Sequence, residues 1–139
     1  MKKLIYRTLE ALGVAALLMV PAIYAQVKVD VPFDFQVGDE KMPAGEYYLA
    51  PAAQGSPIIT ITNEQTRTAR MTPVTIPLHV AKPLEKGKLV FNRYEDRYFL
   101  SQVWDAPHSA GYSLPKSKAE REIARVTRSG SSLVAVKAR

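Results

Sequence analysis

The sequence predicts a mainly β domain, an antiparallel β-sandwich or small barrel of about six to seven strands with one C-terminal α-helix packed on it. Three observations carry this reading. Residues 27–37, VKVDVPFDFQV, place Val27, Val29, Val31, Phe33, Phe35 and Val37 on one side and polar residues on the other, the period of two expected of a half-buried strand. Residues 88–105, KLVFNRYEDRYFLSQVWD, form two aromatic and β-branched arms around Glu95-Asp96, a long hairpin with cross-strand pairs. After residue 114 the apolar spacing changes from two to three and four, the period of a helix.

In chain order, the first 25 residues read as a secretory signal peptide. Lys2, Lys3 and Arg7 precede an apolar run from Ala11 to Val20, and Pro21 leads to the small residue Ala25, the order of a targeting segment. Cleavage is expected after Ala25, and a cut after Ala22 stays open. The apolar run falls short of the ~20 residues needed to span a bilayer. Of 139 residues, 114 would remain as a single β-rich domain, residues 26–139. Lys2, Lys3, Arg7 and Glu10 would leave with the leader, lowering the net charge from +6 to +4. The predicted location is therefore periplasmic or extracellular.

Gly38-Asp39 and Pro43-Ala44-Gly45 supply turn chemistry after the first strand, and residues 46–50 resume as a strand. Residues 51–57, PAAQGSP, turn again. Residues 57–62 are rich in β-branched side chains, which suit a pleated surface. A further strand is expected over 66–77, interrupted or edged by Pro73, because proline lacks the N–H that a central strand must donate. The 88–105 hairpin follows, and its bend has Glu95 where a tight turn prefers glycine.

Ser117 stands three residues before Glu120, the spacing at which each side chain can bond the other's backbone N–H at a helix start. A helix is expected near 117–128. Its apolar stripe, Ala119, Ile123 and Val126, should pack on the sheet, with Lys118, Arg121, Arg125 and Arg128 on the opposite face. Residues 131–139 supply one last strand.

The segments V-P-F-D-F-x-V-G, M-P-A-G-E-Y, L-V-F-N-R-Y-x-D-R-Y-F-L-S-Q-V-W and L-P-K-S-x-A-E-R-E together resemble a family of small exported bacterial proteins of unknown function. The resemblance implies an exported β-rich domain. It implies no activity, ligand or catalytic residue.

Composition narrows the chemistry. The chain has no cysteine, which excludes disulfides, thiol catalysis and thiolate metal sites. His79 and His108 stand apart without ligand-spaced companions, so no metal or cofactor is expected. No serine lies in a Gly-x-Ser-x-Gly elbow, and long phosphate-cradling glycine loops are absent. Two candidate sites remain. Tyr94, Tyr98, Trp104, Asn92 and Arg97, with Tyr47 and Tyr48 nearby in strand order, are aromatic and hydrogen-bonding residues of the kind that line a ligand groove. Lys118, Arg121, Arg125 and Arg128 form a candidate anion-binding face. The expected function is an exported, non-enzymatic binding or structural module of the cell envelope or extracellular space. A small-ligand carrier with its pocket inside a β-barrel is the alternative, and an enzyme of unidentified type comes third. Expected partners are a glycan, an anionic envelope component or a protein. Nucleic acid is not expected, nor is a membrane span once the leader is removed.

Overall fold

The computed structural model describes residues 27–53, 55–74, 76–79, 82, 84–105, 110–127 and 130–138. The leader and its cleavage points, His108 and Arg128 lie outside the described residues.

Two sheets pack face to face. One has four antiparallel strands in the order β1 (Val27–Val31), β4 (Gly45–Pro51), β5 (Ile58–Asn63) and β6 (Ala69–Pro73). The other runs β11 (Ser132–Lys137), β8 (Lys88–Tyr94), β9 (Arg97–Asp105), β10 (Ala110–Ser113) and β7 (Ile76–His79). A short hairpin, β2 (Phe35–Val37) and β3 (Glu40–Met42), adds to this second sheet through a parallel pairing of Gln36 with Phe99. The single helix among the described residues is α1 (Lys118–Val126). The architecture is a sandwich and not a closed barrel. The space between its sheets is filled by Val29, Val31, Phe35, Leu49, Ile61, Leu89 and Phe91, each at most 3% exposed. This leaves the alternative of a carrier with a pocket inside a barrel without its enclosure.

The described residues hold eleven β elements rather than six or seven, because two segments read as single strands divide between the sheets and the short strands β3 and β10 were not read as strands. The alternation over 27–37 is continuous, yet the strand breaks at Pro32–Asp34, and the two parts join different sheets. Pro32 has no N–H to continue the ladder. Likewise the 66–77 segment divides after Pro73 into β6 and β7, the edge strands of opposite sheets. Both prolines sit where a missing ladder bond costs least.

The 88–105 hairpin forms as expected, with Tyr94 opposite Arg97 across a two-residue loop. Glu95 takes the positive φ of 57° that a glycine would adopt more cheaply. A bulge lies at Ser101, since Val90 faces Gln102 and Phe91 faces Leu100. At the far side of the sandwich β1 lies against β11. Ala138 N donates to Gly87 O at 2.7 Å there, and a Cβ on Gly87 would come within 3.3 Å of Val27.

The outer face of the second sheet carries its own buried residues, Val90, Tyr94, Phe99 and Trp104, apart from the central core. Helix α1 lies on this face. Ser117 caps it, its Oγ accepting from Glu120 N at 3.1 Å.

Candidate functional site

Strand β10 pairs with only Gln102 to Asp105 of β9, so the edge of residues 97–99 is left for another partner. Strand β2 takes that place, and the pairing brings the β2–β3 hairpin beside the β8–β9 bend. Between them lies an open cleft of about 530 Å³. Phe35, Met42 and Pro43 supply apolar lining, and Tyr98 and Gln36 stand beside them. Cations Lys41 and Arg97 and carboxylates Asp34 and Asp96 complete the walls.

Several contacts fix this geometry. Tyr98 stacks on Phe33 with ring centroids 3.9 Å apart and planes within 16°. Phe33 in turn meets the edge of Phe91 at 5.0 Å. Phe35 sits edge-on to Tyr47 and Phe91 at 5.1 and 5.3 Å. Gln36, only 8% exposed, accepts a hydrogen bond from Arg97 Nη2 at 3.0 Å, which aims the guanidinium across the Phe99 ring. Asp34 Oδ1 accepts from Ala44 N at 2.8 Å and ties the floor to the turn after β3. Tyr47 donates its hydroxyl to Pro43 O, and its burial raises the phenol above its ordinary value.

The cleft thus takes two of the five ligand-binding residues read from the sequence, Arg97 and Tyr98. Tyr98 offers less than expected, because Phe33 stacks on it and the Arg93 guanidinium lies 5.5 Å from its centroid. Asn92 and Tyr94 are otherwise engaged. Asn92 Nδ2 donates to Glu120 Oε1 at 2.8 Å, and the buried Tyr94 hydroxyl donates to the same oxygen at 3.1 Å. Burial and the neighbouring Glu120 charge raise the Tyr94 phenol above its ordinary value. Trp104 is 7% exposed, bonds Gln102 through Nε1 at 2.9 Å and lies over Gly111. It packs and lines no cleft with Tyr98. Tyr47 and Tyr48 belong to the four-stranded sheet rather than to the hairpin's.

The helix corrects a second expectation. Glu120 is the buried residue of α1, while Val126 is 76% exposed and Ala119 and Ile123 are half-buried. The Glu120 carboxylate does not close a reciprocal capping pair with Ser117. It enters the sheet to receive Asn92 and Tyr94, and with Glu120 pointing inward the stripe at 119, 123 and 126 turns by part of a helical turn to one flank. That flank borders a groove of about 590 Å³ shared with Glu95, Arg97, Glu122 and Thr127. Lys118, Arg121 and Arg125 are exposed, as the sequence indicated.

A separate polar group lies on the four-stranded sheet. Tyr48 Oη donates to Glu64 Oε1 at 3.0 Å, and Lys28 Nζ stands 3.5 Å from Glu64 Oε2. Hydrogen bonding from Glu46, then Tyr48, with the Lys28 charge, holds the Glu64 carboxyl below its ordinary value. Among the described residues no three His, Asp or Glu side chains are grouped to hold a metal ion. No described helix is long and apolar enough to cross a membrane.

Glu120, Gln36, Phe33, Asp34, Lys41 and Met42 were not among the site residues read from the sequence. Strand β3 is three residues long, too short to display a period, so the GDEKM segment read as turn. Compared with protein-family models, curated proteins and solved structures, the chain matches none.

Proposed function

We propose that the protein is an exported, non-enzymatic binding module of the cell envelope or extracellular space, and that its ligand is a short acidic glycan seated in the cleft between the β2–β3 hairpin and the β8–β9 bend. The observation that carries this reading is the lining of that cleft. Exposed Pro43 and half-buried Tyr98, backed by the buried Phe35 and Met42, offer the apolar surface, Arg97 and Lys41 suit a carboxylate or phosphate, and Asp34 and Asp96 accept from hydroxyls. The leader-like residues 1–25 and the resemblance of the four motifs to an exported family support the location. The cleft is open to solvent and its lining holds no histidine or serine, so it offers no nucleophile–base pair for acyl transfer, and Asp34 Oδ1 is engaged by Ala44 N.

The test is titration calorimetry with acidic oligosaccharides and their neutral counterparts. Wild-type protein should bind the acidic series preferentially and return it chemically unchanged. Lys41→Gln and Asp96→Asn, both at exposed positions, should each weaken binding by roughly tenfold while leaving the melting temperature unchanged. Equal affinity for neutral oligosaccharides, no binding to either, or cleavage of the oligosaccharide would overturn the proposal.

A further inference from the structure

We propose that the outer face of the seven-stranded sheet, with α1 lying on it, seats the domain on an anionic lipid surface. This reading stands on different residues from the cleft. Four large apolar side chains are exposed among the described residues, and Val126 and Leu133 are two of them, at 76% and 70%. Leu133 pairs directly with Asn92, so both project from the same face, and Asn92 is the residue that holds Glu120 of the helix. Leu133 and the helix therefore stand side by side on one surface. Along β11 the same face carries Ala135 and then Lys137, opposite Val90 and Lys88, while Val136 turns inward to the core.

Cations share this outer surface with the two apolar side chains. Lys118, Arg121, Arg125 and Lys137 are exposed, and Lys88 is half-exposed. Glu95 and Glu122 are the exposed acids on the helix flank. A positive surface studded with two separate apolar projections fits a bilayer better than a protein. Apolar side chains can enter the headgroup boundary singly while long basic chains reach the phosphates. Protein interfaces instead bury contiguous, shape-matched cores from which lysine is depleted. The rotation imposed by Glu120 is what leaves Ile123 and Val126 at the flank instead of under the helix.

Cosedimentation with vesicles tests the proposal. Wild-type protein should bind vesicles of equimolar phosphatidylcholine and phosphatidylglycerol at low ionic strength, lose binding as salt rises, and ignore pure phosphatidylcholine. Replacing Arg121 and Arg125 together by glutamine should weaken binding by roughly 25-fold, a factor of about 5 per cation at an anionic surface. Val126→Ser with Leu133→Ser should weaken it by about tenfold or more without altering the salt dependence. The cleft variant Lys41→Gln should bind vesicles as wild type does, which separates this proposal from the glycan reading. Wild-type binding equal on both vesicle types, or absent from the anionic ones, overturns the proposal without reliance on any variant. Loss in the arginine variant with no loss in the serine variant, or full competition by soluble phosphate, overturns it in favour of a plain anion patch.

Discussion

Replacing Glu120 by alanine should remove the attachment of the helix to the sheet. One carboxylate oxygen receives Asn92 Nδ2 at 2.8 Å and Tyr94 Oη at 3.1 Å, and the side chain is 3% exposed. Each hydrogen bond to such a group is worth about 1.5–3 kcal/mol net. The alanine variant recovers the cost of burying the carboxylate, several kcal/mol at most, but leaves two donors without their acceptor at about 1–3 kcal/mol each. It also removes a first-turn negative charge worth roughly 0.3–1 kcal/mol. We expect a net loss of about 3 kcal/mol. Glu120→Gln keeps one acceptor and the shape, and should lose about 1 kcal/mol. Urea unfolding gives the stability, and hydrogen exchange of the helix amides gives the local effect. Protection over residues 121–126 should fall further than in the core strands, since no other α1 side chain is buried. A Glu120→Ala variant within about 0.5 kcal/mol of wild type, with helix protection retained, would refute the anchoring argument.

Three further outcomes are expected. Gly111→Ala places a Cβ 2.6 Å from Trp104 Cε3, so the buried ring must move; stability should fall by about 1–3 kcal/mol and the tryptophan emission should shift to longer wavelength. Phe35→Ala should cost roughly 3–5 kcal/mol in a denaturant titration, whereas the half-exposed Phe33 should cost only about 1–2 kcal/mol; equal losses would contradict the burial difference between them. Tyr47 and Tyr94 are both raised above 10.0 in the folded protein. Their stabilisation is therefore complete below that pH and should be lost as pH rises through the folded values, seen as a falling urea midpoint coincident with phenolate absorbance. Glu64, lowered from 4.5, acts at the other end, its contribution present above 4.5 and lost as pH falls through its folded value.

What the sequence revealed depended on element length and on how many faces each element buries. The 88–105 hairpin was legible because β8 and β9 are long and dense in aromatic and β-branched residues. Alternation over 27–37 correctly marked which side chains turn to the core, but it cannot tell one strand from two that share a period, and Pro32 was the sole local sign of the break. Gln36 shows a related limit of periodicity. It occupies a polar slot of the alternation, yet β2 slots against β9 and is buried on both faces. At the helix, stripe logic assumes that the most apolar face packs. Here a carboxylate with two waiting donors outcompeted Ile123 and Val126 for the inward direction, and a helical wheel contains no information about donors 26 and 28 residues away. The candidate cleft was only half visible, through Arg97 and Tyr98, because its other wall comes from a three-residue strand.

The meeting of β1 and β11 beside Gly87 makes the order of assembly asymmetric. Strands β4, β5 and β6 pair with neighbours in sequence and can zip as the chain emerges from the ribosome. The flank formed by β1, Gly87 and β11, by contrast, is complete only when β11 and Ala138 arrive, because Ala138 bonds Gly87 and β11 covers β8. A chain shortened before Ser132 would keep both hairpin systems yet leave the edge of β8 unpaired, an open template for a neighbouring chain. Strand β11 is therefore a closing clasp, and its arrival after β8 extends the interval in which the nascent protein is vulnerable to edge-to-edge association.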